Sequence, residues 1–321
     1  MKKINNSSTS KALFKNTGII AIGQISTKIV NFLLLPLYTA LLTTEEYGLV
    51  DLLTTYASLI AVVIGLQMSQ AVFRFLVTCR DDEHRLREIS STVILETLVI
   101  FVGYIIVFLL VHPFITIDYK WFLLIYVLAS IFLQTAAGIA RGLGNNTVYA
   151  AGNFISAFVM IVLNILFVAI MRLGVSAMLV SQIVGPLIGG TYIFVCTKIW
   201  KYFDIKAANK KDMKMVMNYA IPLVPNELSW TVIHSSDRMI ISTFVSIAAN
   251  GLIAVAAKIS TIYTTFFSIF ICLCKSSTLL PFSRSPVVTH LLANTANDCI
   301  LWFRLNSRRD AFSLWTTTLL C

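Results

Sequence analysis

The chain has 321 residues, of which 57% are hydrophobic and only 12% are charged. Because a soluble domain carries about 25% charged residues, this composition excludes a soluble globular protein and indicates a polytopic membrane protein. The net charge of +10 does not require a nucleic-acid partner, since cytoplasmic loops of membrane proteins accumulate lysine and arginine. The six cysteines lack the spacing of a metal site, so we expect neither a metal nor another cofactor.

The first six apolar stretches are long enough to cross a membrane and are joined mostly by short turns. They cover approximately residues 13–41, 49–75, 90–111, 121–143, 148–171 and 174–196. We interpret residues 1–196 as an N-terminal six-helix transmembrane bundle and 197–217 as a basic cytoplasmic linker. Two further spans, near 218–245 and 251–272, are the expected first two helices of a second bundle within 218–272.

The distribution of basic residues predicts the orientation of the chain. Four lysines precede the first span, and no cleavage site follows it, so it is expected to be an uncleaved signal-anchor. With the N-terminus inside, the inner loops collect most of the basic residues, including six lysines of the linker. The outer loops would hold only Lys120 and Arg172, which favours a cytoplasmic N-terminus.

Two short segments suggest an internal repeat. The sequence EEYGLVDLL at Glu45–Leu53 resembles AANGLIAVA at Ala248–Ala256, about 200 residues later, and each follows an apolar span and a polar turn. Ser26 and Ser229 fall at the same offset. Such a repeat predicts a second set of six helices that begins at Tyr219, a layout typical of secondary transporters.

The apolar helical pattern ends near residue 272. Beyond it, no uninterrupted apolar run approaches 18 residues, and four of the six cysteines lie from Cys272 onward. We expect that the reading frame changes here and that residues 273–321 are an aberrant tail. A short cytoplasmic tail is the alternative, and the other reading frames of the gene would distinguish the two.

Polar residues inside three spans are candidates for a functional cavity. In the first span Gln24, Lys28 and Asn31 share one helical face, which is costly to expose to lipid. They line either a water-filled cavity or an interhelical hydrogen-bond interface. In the third span Glu96 is a lone buried acid, which serves either as a proton site or as a partner of Lys28 or Lys258.

The seventh and eighth spans carry further charges at membrane depth. The seventh has two adjacent polar stripes, which bind a ligand or form an internal salt-bridge network. Its stripe residues are Glu227, His234 and Arg238 on one face and Asn226, Trp230 and Asp237 beside it. In the eighth span Lys258, on a polar face with Asn250, is the strongest candidate for holding an anionic group. No nucleotide-binding loop, catalytic triad or HExxH motif occurs, so we expect neither an ATP-driven pump nor an enzyme.

Four motifs resemble those of a known family. They are LLTTEEYGLVDLL at Leu41–Leu53, YAIPLVPNELSW at Tyr219–Trp230, SSDRMIISTFV at Ser235–Val245 and AANGLIAVAAKIS at Ala248–Ser260. Over about residues 11–271 the chain resembles bacterial polysaccharide biosynthesis proteins. These are the O-antigen and exopolysaccharide repeat-unit flippases of the multidrug/oligosaccharidyl-lipid/polysaccharide exporter superfamily.

The resemblance implies two six-helix bundles around a central cavity in the bacterial inner membrane, of which this chain would lack roughly the last four helices. The implied activity is translocation of an undecaprenyl-pyrophosphate-linked oligosaccharide for O-antigen, lipopolysaccharide or capsule biosynthesis. The implied partners are this substrate, membrane lipid, a polysaccharide polymerase and a chain-length regulator, with no nucleic acid. A non-functional truncated product is one alternative to this activity.

The resemblance also suggests roles for the candidate residues. Lys28, Arg238 and Lys258 are the suggested phosphate-binding residues. The suggested sugar-binding residues are Gln24, Asn31, Asn226 and Trp230. The suggested residues for coupling transport to a proton or sodium ion are Glu96, Glu227 and Asp237. A multidrug antiporter of the same superfamily is the second hypothesis, although its organic cations favour an acidic cavity. A membrane-bound polymerase or glycosyltransferase is the third, although such enzymes need larger extramembrane loops.

Overall fold

A computed structural model describes residue 38 and residues 41–80, 82–114, 119–172, 174–204 and 208–258. The predictions for Gln24, Lys28 and Asn31, and for the tail at 273–321, lie outside these described residues. Over the described ranges the secondary structure is helical and contains no strand.

The helices follow the predicted spans in order. The first five are α1 (Thr44–Ile64), α2 (Met68–Thr78), α3 (Glu83–Val111), α4 (Lys120–Gly142) and α5 (Asn146–Asn164). They are followed by α6 (Val175–Cys196), α7 (Lys210–Ala220), α8 (Leu223–Phe244) and α9 (Ile247–Lys258), and the description of the chain ends with α9. Five described helices are long and apolar enough to cross a membrane, namely α1, α3, α4, α5 and α6. The prediction of an all-α polytopic membrane protein is confirmed.

The predicted second span is two helices rather than one. A capping box starts α1, in which the Thr43 hydroxyl accepts from the Glu46 amide and the Glu46 carboxylate accepts from the Thr43 amide. The helix ends at Gly65, and Leu66 and Gln67 then take left-handed conformations with φ of 44° and 53°. Because a right-handed helix cannot continue through two such residues, α2 starts anew at Met68.

The basic linker contains ordered structure that charge counting did not predict. After a 3₁₀ turn at Ile199–Tyr202, helix α7 packs against the first turns of α3 and the last turns of α2. Asp212 of α7 is buried, and both of its carboxylate oxygens accept hydrogen bonds of 3.0 Å from Arg85 of α3. The fork geometry of this bidentate pair fixes the rotation of α7 as well as its position.

Two aromatic contacts anchor the other end of α7. The Tyr219 ring packs edge-on against Phe75 with centroids 5.6 Å apart, and the Arg74 guanidinium lies 5.1 Å from the Tyr219 ring centroid. Arg74 and Phe75 thus join α2 to α7. Since α8 begins three residues after α7 ends, the linker holds the start of α8 close to the first bundle.

Candidate functional site

The two repeat segments meet each other in space. Gly48 of α1 lies against α9, where a Cβ added to it would stand 2.1 Å from the Ile247 carbonyl oxygen. Gly251 of α9 lies against α1, and an added Cβ would stand 2.1 Å from the Thr44 carbonyl oxygen. Gly48 aligns with Gly251 in the repeat, and Thr44 aligns with Ile247. The contact is therefore reciprocal, as expected of two segments related by an approximate twofold axis.

A hydrogen bond and an ion pair surround this glycine crossing. The fully buried Asn250 of α9 donates from Nδ2 to the Gly48 carbonyl oxygen at 3.1 Å. One turn further along α1, Asp51 accepts at Oδ1 from Arg238 Nη1 of α8 at 3.0 Å. The Asp51 side chain is 10% exposed and that of Arg238 is 30% exposed, so the pair is largely shielded from solvent. Three helices are thus joined by polar contacts within one or two turns of the crossing.

Lys258 lies against two tyrosine rings. Its ammonium nitrogen is 5.3 Å from the ring centroid of Tyr38 and 5.0 Å from that of Tyr47, and the two centroids are 5.8 Å apart. Both distances are within the range of a cation–π interaction. Asp51 also interacts electrostatically with this ammonium group. The structure therefore brings together Arg238 and Lys258, which the sequence singled out separately.

The cluster has two buried acceptor oxygens that its own contacts leave unused, and these suit a hydrogen-bond donor, so only the charge of the cluster can favour an anion. Asp51 Oδ2 and Asn250 Oδ1 are buried, and neither has a hydrogen-bond partner among the described residues. One carboxylate faces two cations here, so the cluster carries a net positive charge. Such an arrangement attracts an anionic group, and the ion pair must open before Arg238 can use its full set of donors for that group.

The remaining candidates lie elsewhere. Along α8 the side chains of Asn226, Glu227, Trp230, His234 and Asp237 are exposed. Trp230 is 57% exposed, and its ring stacks on that of His234 at 5.7 Å with an interplanar angle of 16°. In this polar stripe the described residues provide no salt bridge to Glu227 or Asp237.

Glu96 is isolated in the middle of α3. Its side chain is 4% exposed, and neither carboxylate oxygen has a hydrogen-bond partner among the described residues. The suggested pairing with Lys258 is wrong, because Lys258 lies over the tyrosine rings instead. Pairing with Lys28 concerns a residue outside the described ranges. A buried carboxyl group without a partner is costly, which marks Glu96 as a candidate for a functional rather than a structural role.

Sequence reasoning missed Asp51, Tyr38 and Tyr47, although they complete the cluster. Asp51 lies inside the repeat motif EEYGLVDLL, where an acid after an apolar Gly-Leu-Val run is unusual for a span. That signal was available for Asp51, whereas nothing in the sequence distinguishes these tyrosines from other aromatic residues near span ends. No group of three potential metal ligands occurs among the residues that the structure describes.

Comparison with known proteins supplies the family. A family model of polysaccharide biosynthesis proteins matches residues 13–274. No curated protein sequence matches this chain. A solved MATE protein in complex with Br-NRF has 18% sequence identity and a TM-score of 0.61, with 80% of this chain and 65% of that chain covered. This chain thus spans slightly less than two thirds of that protein.

A second solved structure has the same fold. It is the outward-facing conformation of a multidrug resistance MATE transporter of the MOP superfamily, with 15% identity and a TM-score of 0.58. The match covers 90% of this chain and 76% of that one. At these identities the solved structures establish the fold, whereas the family follows from the sequence match, which covers most of the chain. The chain belongs to the polysaccharide biosynthesis protein family of polytopic membrane proteins.

Proposed function

We propose that this chain acts in the translocation of an undecaprenyl-pyrophosphate-linked oligosaccharide repeat unit across the bacterial inner membrane, for O-antigen or other surface polysaccharide biosynthesis. The observation that carries the proposal is the positive cluster of Arg238 and Lys258 where the second bundle begins, in a chain of the polysaccharide biosynthesis family. A pyrophosphate–sugar headgroup is too polar to cross hydrocarbon unaided. Cations in a cavity reduce that barrier by neutralising the phosphates.

The proposed orientation has a cytoplasmic N-terminus, as the basic loops favour. The glycine crossing at Gly48 and Gly251 is then near the outer membrane face, because α1 starts after the first span has crossed outward. Arg238 and Lys258 lie beneath this crossing and bind the pyrophosphate in our proposal. Asn226 and Trp230 on the exposed stripe of α8 bind sugars. Gln24, Lys28 and Asn31 of the first span are expected to contribute to the same cavity.

The Asp51–Arg238 pair offers a mechanism for coupling binding to opening. A pyrophosphate that approaches Arg238 competes with Asp51 for the same guanidinium. The exchange removes one contact between α1 and α8, while the glycine crossing, the Asn250–Gly48 hydrogen bond and the Lys258–Tyr47 contact still join α9 to α1. Substrate would thereby favour rocking of one bundle against the other, the movement expected of repeat-built transporters. Glu96, with Glu227 and Asp237 as further candidates, is proposed to couple a proton or sodium ion.

Reconstitution of the purified full chain tests the proposal. Liposomes should be loaded with a fluorescent polyprenyl-pyrophosphate oligosaccharide, and its appearance in the opposite leaflet measured by a membrane-impermeant quencher. We expect Arg238→Gln and Lys258→Gln each to slow translocation at least tenfold. Lys211→Gln, which removes an exposed lysine of α7, is the matched control and should have no effect. If Arg238→Gln and Lys258→Gln both translocate the lipid at the unaltered rate, the assigned roles are wrong. If the unaltered chain does not translocate the lipid, the proposed function is wrong.

A multidrug antiporter is the second candidate, and one specific observation favours it. Glu227 and Asp237 are exposed along α8 and are suited to an organic cation. The same liposomes should then accumulate a fluorescent organic cation when a proton gradient is imposed, and Glu227→Gln should abolish the uptake. Cation uptake without oligosaccharide translocation would favour this candidate. In both cases we propose a transporter rather than an enzyme, with a polymerase and a chain-length regulator as partners of the flippase.

A further inference from the structure

A cavity inside the first bundle is separate from the cluster described above. Its volume is about 290 Å³, near the lower end of the range for ligand pockets. The lining includes Ile94, Leu98 and Phe101 of α3, Phe132 of α4, Phe194 of α6 and Trp200 of the 3₁₀ turn. Thr97, Thr135 and Trp200 carry the polar side-chain atoms of this lining, and the Thr97 hydroxyl already donates to the Val93 carbonyl. The cavity is therefore suited to a hydrocarbon chain.

The cavity opens to the bundle surface beside Trp200. That residue lines the cavity and is nevertheless 47% exposed. Ile199 and Trp200, which both line the cavity, are flanked by the exposed residues Lys198 and Lys201. The backbone of this turn is held against α3, because the Ser91 hydroxyl donates to the Tyr202 carbonyl and accepts from the Asp204 amide. The two exposed lysines thus belong to a turn whose backbone is fixed beside the cavity.

A third cation lies on the same side of α3. Arg87 is exposed and precedes Ile94 by seven residues, so both occupy one face of the helix, about 10 Å apart along its axis. Beyond Arg87 this α3 face becomes apolar toward the cavity. Asp204, after the lining residue Phe203, and the exposed Glu83, one turn before Arg87, are acids near these cations in the sequence, and Arg87, Lys198 and Lys201 outnumber them.

We propose that this cavity holds one acyl chain of an anionic phospholipid, with the headgroup bound by Arg87, Lys198 and Lys201. A single apolar slot with cations at its mouth matches an anionic lipid, whereas a zwitterionic headgroup gains less from three cations. None of the residues that line the cavity belongs to α1, α8 or α9, which form the proposed transport cluster. The bound lipid is therefore a resident partner of the first bundle and not the transported substrate, and this proposal does not depend on the proposed function.

Trp200 itself reports on the chain in the cavity. We suggest a full-length variant in which Trp121, Trp230, Trp302 and Trp315 are replaced by Phe, reconstituted in nanodiscs with brominated phosphatidylglycerol or brominated phosphatidylcholine at equal mole fraction. Trp200 fluorescence should be quenched more by the anionic lipid. A matched variant that retains only Trp121, 50% exposed at the start of α4, should be quenched equally by both lipids. Equal quenching of Trp200 by both lipids would overturn the proposal.

Two pairs of variants separate the cavity from diffuse surface attraction. Lys198→Gln with Lys201→Gln should lower the preference for phosphatidylglycerol about thirtyfold, since each of the two lysines near an anionic lipid contributes roughly 1 kcal/mol. Lys210→Gln with Lys211→Gln removes the same charge from α7 and should preserve the preference. If this control pair also loses the preference for phosphatidylglycerol, the proposal is overturned.

Ala136→Phe fills the cavity while every cation remains, and gel filtration verifies its folding. Preference retained in a folded Ala136→Phe variant would show that no chain occupies the cavity.

Discussion

The ion pair between Asp51 and Arg238 should stabilise the junction between α1 and α8 only as a pair. We consider Asp51→Asn, Arg238→Gln and the double variant. Each single substitution leaves one charge without its partner at a site where the two side chains are 10% and 30% exposed. The double variant leaves two neutral amides that are able to hydrogen-bond to each other. We therefore expect the single variants to be less stable than the double variant.

The distance and burial of the pair give the expected magnitude. At the observed 3.0 Å separation, two unit charges attract by about 5.5 kcal/mol with an effective dielectric constant of 20. Desolvation of both groups offsets much of this attraction, and loss of one partner from a buried pair costs about 3–5 kcal/mol. Since Arg238 keeps some contact with solvent, we expect about 3 kcal/mol for each single variant. The double variant should lose less than about 1 kcal/mol, so the coupling energy, which is the sum of the two single losses minus the double loss, should be about 5 kcal/mol.

The assay is equilibrium unfolding of the purified chain in mixed micelles with increasing SDS, monitored by circular dichroism. Asp237→Asn is the matched control, because this exposed acid precedes Arg238 on the same helix and should change stability by no more than about 0.5 kcal/mol. A loss below 1 kcal/mol in both single variants would refute the reasoning. So would a double variant whose loss equals the sum of the two single losses, because the charges would then act independently.

Three further predictions concern packing, docking and burial. Gly251→Ala should lower the free energy of unfolding by about 1–3 kcal/mol because its Cβ would meet the Thr44 carbonyl, whereas Gly103→Ala, with nothing within 4 Å, should be neutral or stabilising in the same unfolding assay. Asp212→Asn should release α7 and speed amide hydrogen exchange across Lys210–Ala220, while Lys211→Gln, an exposed neighbour, should not. Glu96→Gln should leave the unfolding midpoint unchanged or raise it, because it removes an unpaired buried carboxyl; a loss above 1 kcal/mol would reveal a partner.

The predicted seventh span, α8, is not among the five described helices that are long and apolar enough to cross a membrane. Hydrophobic periodicity did predict α3 to α6 as spans, because in lipid a helix must satisfy its own backbone. It did not predict the interruption after Gly65, since Leu66 and Gln67 are residue types that ordinarily continue a helix and their left-handed conformation is set by packing. Helix α7 within the linker was likewise not predicted. Attention went to the six lysines, whereas Asp212, Val216 and Ala220 recur at helical spacing and form the buried face of α7.

The sequence predicted the two cations of the cluster but not the residues that contact them. Charges in α8 and α9 are conspicuous because they interrupt apolar sequence, and Arg238 and Lys258 were singled out for that reason. The residues that contact them were not singled out. Which aromatic ring Lys258 contacts depends on how α9 crosses α1, and the sequence alone does not give that crossing. That crossing was itself signalled by the repeated Gly-Leu pair, which marked both Gly48 and Gly251 without indicating that they touch.

The repeat relation shows where symmetry ends at this junction. The backbone crossing is reciprocal, because Gly48 contacts the Ile247 carbonyl while Gly251 contacts that of Thr44. The charges do not repeat: the position equivalent to Asp51 is the fully buried Ala254, and the position equivalent to Lys258 is the buried Thr55. A symmetric backbone crossing therefore carries an asymmetric charge distribution, with the acid in the first repeat and its cations in the second. Any separation of α8 from α1 would have to break the Asp51–Arg238 contact, so under the proposed function an anion that takes the place of Asp51 would weaken this junction.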